Sequence, residues 1–219
     1  METARLRKFL ENYIQRHKRN FGIFIVKEKN SYKCCEIAQD KYCITIIHVP
    51  KHHCKEITDD FDPSPTADNE VPSCGHFCCY VRTDHELCFY DSSGAKPEAY
   101  GLPTAHKYNT IETQTDNSLS CGMQVALYCM LRFHGVSHDT YQRIMHSDNS
   151  NVAYTVQERD TAVMEVSTIY PTLSKDVELI DYHPTPRSKE LYLTIMRKLT
   201  KGQTETFVPA IAATAHRDK

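Results

Sequence analysis

Between residues 4 and 18, Leu6, Phe9, Leu10, Tyr13 and Ile14 recur at helical spacing among charged and polar positions. One apolar stripe on a polar surface predicts an amphipathic helix laid on a core. The pattern then changes. Phe21-Gly22-Ile23-Phe24-Ile25-Val26 and Tyr42-Cys43-Ile44-Thr45-Ile46-Ile47 are short runs rich in β-branched and aromatic residues, which predicts two strands. Two more are predicted at His76–Val81 and Leu87–Asp91, with Thr83-Asp84-His85-Glu86 as the turn between them. Residues 50–73 hold four prolines and several aspartates, which predicts a long loop ending just before His76. Long loops in compact domains are usually functional or mobile.

Residues 92–109, with Gly94, Pro97, Gly101 and Pro103, read as a second loop. Residues 122–133 are apolar nearly all round: Met123, Val125, Ala126, Leu127, Met130, Leu131 and Phe133. A helix of that kind belongs at the centre of a protein, and Gly135 is a stop signal for it. The last third carries weaker strand and helix signals. Its clearest element is a helix at about 187–200, with Leu191, Tyr192, Ile195, Met196 and Leu199 on one face. The tail from Lys201 reads as loosely held, and no internal repeat is evident.

Composition narrows the class. A chain of 219 residues suits one sizeable core, and a single domain over 1–219 is expected. Hydrophobic content of 40% and charged content of 25% are those of an ordinary globular protein. There is no run of eighteen apolar residues, so no membrane span is expected. The start, Met1-Glu2-Thr3-Ala4-Arg5, has no apolar core of a secretory signal, so an intracellular protein is expected. In that setting ten cysteines read as free thiols, metal ligands or a nucleophile rather than a disulfide framework. A net charge of −2 and a pI of about 6.6 provide no global field for nucleic acid. The local patch of Arg5, Arg7, Lys8, Arg16, His17, Lys18 and Arg19 reads as the solvated face of the first helix.

Thiol-protease chemistry needs a thiolate, a base paired with it, a group that fixes the base, and donors for the oxyanion. Cys121-Gly122 opens the buried helix, where unpaired N–H groups and the helix dipole favour a thiolate. The Cys121 amide points where an oxyanion would form, and Gly122 allows close approach of a substrate backbone. His76 and Asp91 bracket the predicted hairpin. A two-residue loop puts them opposite each other, and a four-residue loop puts them on a diagonal. Either keeps both on one face, about 5 to 8 Å apart at Cβ, whereas a three-residue loop would separate them. Gln114, seven residues before Cys121, could donate its side-chain amide to the oxyanion. Read singly, each residue has a plain structural explanation. Their joint order is what points to catalysis.

At these residues the chain resembles the adenovirus protease family. Gly75-His76-Phe77 is similar to its Gly/Val-His-Trp element, and Tyr90-Asp91-Ser92-Ser93-Gly94 to its Phe-Asp/Glu-Pro-Phe-Gly element. Gln114-Thr115-Asp116-Asn117-Ser118-Leu119-Ser120-Cys121-Gly122 resembles its Gln-x-x-Asn-Ser-x-x-Cys-Gly signature, with five fixed positions at fixed spacing. The related SUMO and ubiquitin-like-protein proteases share the order, with Gln usually one residue nearer the Cys. The resemblance covers about residues 74–133. It departs where Phe77 replaces Trp beside the catalytic His and where Ser92-Ser93 replaces Pro-Phe.

The resemblance implies an α+β fold of the papain-like, adenain type, with the nucleophile helix packed against a central mixed or antiparallel sheet. It implies His76 as general base, Asp91 as its orienter, Gln114 as oxyanion donor and Cys121 as nucleophile. It further implies a polypeptide substrate: a viral precursor or capsid protein cut at Gly-containing sites, or a ubiquitin-like protein. An activating peptide or DNA, and a location in the host nucleus or the virion, are implied in the same way. No cofactor, metal or membrane partner is expected.

Three other readings compete. His48, His52, His53 and Cys54, flanked by Cys34-Cys35, Cys74 and Cys78-Cys79, could form a zinc-binding module, although tidy ligand pairs are lacking. A non-catalytic binder of ubiquitin-like proteins could use the same fold, as could an acyl transferase using the same triad.

Overall fold

The computed structural model describes residues 3–17, 21–27, 42–49, 75–115, 118–147, 151–174 and 184–201. The expected loop at 50–73, the tail after Lys201 and the cysteines at 34, 35, 54 and 74 lie outside them, as do His52 and His53.

Five strands form one mixed sheet in the order β1-β2-β3-β4-β5: Gly22–Lys27, Cys43–Val49, His76–Arg82, Leu87–Asp91 and Lys107–Tyr108. β1 and β2 run parallel, β2-β3-β4 is antiparallel, and β5 adds in parallel to β4. The helices are α1 (Thr3–Arg16), α2 (Cys121–Phe133), α3 (His138–His146), α4 (Val156–Thr168) and α5 (Pro186–Thr200), with a single helical turn at Pro171–Ser174. The architecture is α+β. The described part of the last third is helical, not a mixture of strand and helix. None of the described helices is long and apolar enough to cross a membrane.

Side-chain alternation divides the central strands between two cores. Ile44, Ile46, Phe77, Cys79, Val81 and Tyr90 face the helices and join the buried stripe of α1, Leu6, Phe9, Leu10, Tyr13 and Ile14. Cys43, Ile47, Cys78, Tyr80 and Phe89 face the other way, where the 92–109 segment covers them with Leu102, Tyr100, Ala105 and Tyr108. That segment is therefore more than a loop. It holds a 3-10 turn at Pro97–Tyr100 as well as β5.

α2 lies on β3 and β4, with α1 and α4 against it. Every α2 residue after Cys121 is buried, as an all-round apolar helix requires. Gly135, at φ +77°, follows its C-terminus and supplies the left-handed residue that ends many helices. On α1, Arg7 pairs with Glu11 at 2.7 Å on the exposed face, so part of the basic patch is a neutralised solvent surface.

Candidate active site

The hairpin register decides where His76 and Asp91 stand. Arg82 pairs with Leu87 and Cys78 with Asp91, and the Thr83 N–H donates to the Glu86 carbonyl across 2.9 Å. The loop is therefore the four-residue one, and Asp91 is diagonal to His76 on the same face of the sheet. The His76 Nε2–H donates to Asp91 Oδ1 at 2.7 Å. With Nε2 committed to Asp91, Nδ1 is the nitrogen left for Cys121.

Asp91 is wholly buried. Its Oδ1 also accepts the Ser93 N–H at 2.7 Å and the Ser93 hydroxyl at 2.9 Å. Its Oδ2 accepts the Tyr100 hydroxyl. Its backbone is clamped by Asn109, whose side-chain oxygen takes the Asp91 N–H at 2.8 Å and whose amide donates to the Asp91 carbonyl. The turn closes when the Gly94 N–H donates to the same carbonyl at 3.0 Å. Gly94 sits at φ +74°, and an added Cβ would meet Glu112 N at 3.3 Å, so glycine is the residue that fits.

Cys121 starts α2, with its Sγ 4.0 Å from the Gly75 carbonyl oxygen. Ser120 occupies the N-cap without capping the helix. Its hydroxyl donates instead to Asp160 at 2.6 Å, which leaves the first-turn amides of α2 uncapped by it.

The charges favour an ion pair. Burial works against a charged His76, but hydrogen bonds to Asp91 and Cys121 outweigh it and raise the imidazole from 6.5 to about 10. Burial likewise pushes the Cys121 thiol up, yet the His76 contact and the Phe77 amide more than reverse this and leave it below its ordinary value. Burial would also raise Asp91, but His76, Tyr100 and Ser93 hold it below the usual carboxylate range. All three shifts run toward a thiolate, an imidazolium and a carboxylate in a row. Other thiols go the opposite way: burial raises Cys79 well above its ordinary value and Cys88 to about 12.

Gln114 is tethered at both ends of its amide. Its Oε1 accepts the Ser92 hydroxyl at 2.6 Å, and its Nε2 donates to the Ser118 carbonyl at 2.6 Å. The polarity of the amide is thus set, with the donor end toward the segment that leads into Cys121. One Nε2 proton remains beyond the bond to Ser118. The two serines that stand where the resemblance expects Pro-Phe therefore have specific partners, Gln114 for Ser92 and Asp91 for Ser93.

Sequence reasoning missed the support behind this segment. Asp160 on α4 is wholly buried and accepts hydrogen bonds from the Thr115 N–H and hydroxyl, Ser120 and Gln124 at 2.6–3.2 Å. Its neighbour Arg159 donates to the carbonyls of Glu112 at 2.7 Å and Met145 at 2.6 Å. One turn of α4 thereby fixes both ends of the stretch between Gln114 and Cys121. Tyr100 was missed as well. Phe77, in the Trp position of the resemblance, points into the helix-side core and packs on His48 at 4.8 Å between centroids. The ring flanking His76 is that of Tyr100, at 6.2 Å and 25°.

Of the zinc candidates, Cys78 and Cys79 are buried on opposite faces of β3, and among the described residues no group of three His, Cys, Asp or Glu is arranged to hold a metal ion. The arrangement can hold a reactive thiolate beside a proton donor, with amide donors near it. No protein-family model, curated protein or solved structure matches the chain.

Proposed function

We propose that this chain is a cysteine endopeptidase of the adenovirus-protease type that cleaves viral precursor or capsid polypeptides at Gly-containing sites. The observation that carries the reading is the buried Asp91 carboxylate 2.7 Å from His76 Nε2, with Cys121 at the start of a helix as the thiol whose charge is coupled to that imidazole. An inert buried cysteine needs neither partner. The motif resemblance supplies the substrate class, the viral setting and the nuclear or virion location.

In this mechanism the Cys121 thiolate attacks the scissile carbonyl carbon, a C–S bond forms, and the carbonyl π pair moves onto oxygen. The Cys121 amide and Gln114 Nε2 donate to that oxyanion. The His76 imidazolium gives its proton to the leaving amine as the C–N bond breaks. His76 then takes a proton from water, which attacks the thioester and releases the acid and the thiolate. Asp91 keeps Nε2 oriented throughout and stabilises each imidazolium stage.

The test is digestion of a proteome-derived peptide library by wild type and by Cys121→Ala, with the new termini read by mass spectrometry. Cleavage after Gly-containing sequences by wild type alone is the expected result. No cleavage of peptides, combined with release of a ubiquitin-like protein from a lysine side chain, would replace the endopeptidase reading with an isopeptidase.

A further inference from the structure

We propose that Tyr100 is a positioning residue for the His76–Asp91 pair, holding the second carboxylate oxygen so that the first stays aimed at the imidazole. The inference rests on the active-site reading above and adds a residue that neither the motifs nor the spacing identify.

A buried carboxylate such as that of Asp91 needs donors on both oxygens. Oδ1 receives three, from His76 and twice from Ser93. Among the described residues, Oδ2 receives the Tyr100 hydroxyl alone. A carboxylate held on one oxygen can turn about its Cβ–Cγ bond, whereas one held on both cannot. The phenol is suited to the task. Burial and the Asp91 charge push it well above its ordinary value, so it keeps its proton and remains a donor.

Tyr100 is itself fixed from both sides. It ends the 3-10 turn that begins at the buried Pro97, and Gly101, at φ +66°, closes that turn by donating to Glu98 and Pro97. Leu102, just beyond, is buried in the outer core. The ring lies nearly parallel to the imidazole, with 6.2 Å between centroids. The titratable groups around His76 are Asp91 from β4, Cys121 from α2 and Tyr100, with Cys78 on its own strand close to Tyr100. A merely structural Tyr100 would pack the turn and leave this titration untouched.

The experiment compares wild type, Tyr100→Phe and His76→Ala by the pH dependence of Cys121 carboxymethylation with iodoacetate, read by peptide mass spectrometry. The anionic reagent reacts best while the imidazolium is present, so the upper limb marks its loss. Tyr100→Phe keeps the ring and its packing, and an unchanged thermal midpoint verifies that the fold is intact. The expected result is carboxymethylation about tenfold slower near neutral pH, with the upper limb moved to lower pH because Asp91 no longer faces the imidazolium squarely. A wild-type rate and an unmoved limb, or a limb moved to higher pH, overturn the role of Tyr100 while the active-site reading stands. A wild-type Cys121 that reacts no faster than in His76→Ala removes the active-site reading itself, and the role of Tyr100 with it.

Discussion

The hydroxyl of Ser92 donates to the side-chain oxygen of Gln114 across 2.6 Å, and so holds one of the two ends of that amide. Ser92 adjoins Asp91, and Gln114 lies on the segment leading to Cys121. One hydrogen bond therefore ties the turn after β4 to the segment before α2.

Ser92→Ala removes one of that amide's two tethers. Turnover of a peptide that wild type cleaves should fall about tenfold, while Cys121 alkylation by iodoacetamide stays at the wild-type rate, since alkylation needs no oxyanion donor. Gln114→Ala should lose about a hundredfold in kcat with the same unchanged alkylation. Parallel losses in both assays would mean that Gln114 shapes the thiolate instead.

Asp91→Asn should retain weak activity because an amide can still orient the imidazole without supporting its charge, and Asp91→Ala should be lower still. Equal kcat/KM for Asp91→Ala and wild type would remove Asp91 from the machinery.

The pH dependence follows from two opposite shifts. The thiolate forms as pH rises through the lowered Cys121 value, and the imidazolium is lost as pH rises through about 10. The reactive pair is therefore present from below the ordinary thiol range up to about 10. Alkylation of Cys121 should reach its plateau below the ordinary thiol range, while Cys79 and Cys88, shifted upward, remain unmodified there. A Cys121 rate that climbs only near the ordinary thiol value would show that no ion pair exists.

Asp160→Ala strips a wholly buried acceptor from four donors. It should lower stability by about 3 kcal/mol, because each donor loses its partner without regaining water. Thermal or denaturant unfolding checks this. A loss below about 0.5 kcal/mol would mean that the 115–120 segment is held elsewhere.

Much of this site is legible in the sequence because its parts are local. Short runs on either side of a turn mark β3 and β4, all-round apolarity marks α2, and an even hairpin loop requires His76 and Asp91 to share a face. The choice between two loop lengths stayed open because Thr83-Asp84-His85-Glu86 suits either, and the tertiary pairing of Arg82 with Leu87 settles it. The missed residues act across long separations. Asp160 is forty residues from Ser120 in the chain, and no spacing rule connects them. The helix that carries Asp160 was itself obscured, because buried Arg159, Asp160, Thr161 and Ser167 interrupt its apolar stripe. A signal for its start was present all the same: Thr155 and Glu158 form a capping box, the Thr-x-x-Glu pattern of helix N-termini. Tyr100 was hidden for a related reason. Its turn is marked by Pro97 and Gly101, but nothing local shows that it folds back over β3 and β4.

Brief iodoacetamide labelling near neutral pH reads whether His76 activates Cys121. All cysteines are quantified by peptide mass spectrometry in wild type and in His76→Ala. The expected result is modification of Cys121 far ahead of every other cysteine, with the advantage lost in His76→Ala. Equal labelling of Cys121 in the two proteins would mean that His76 does not activate it.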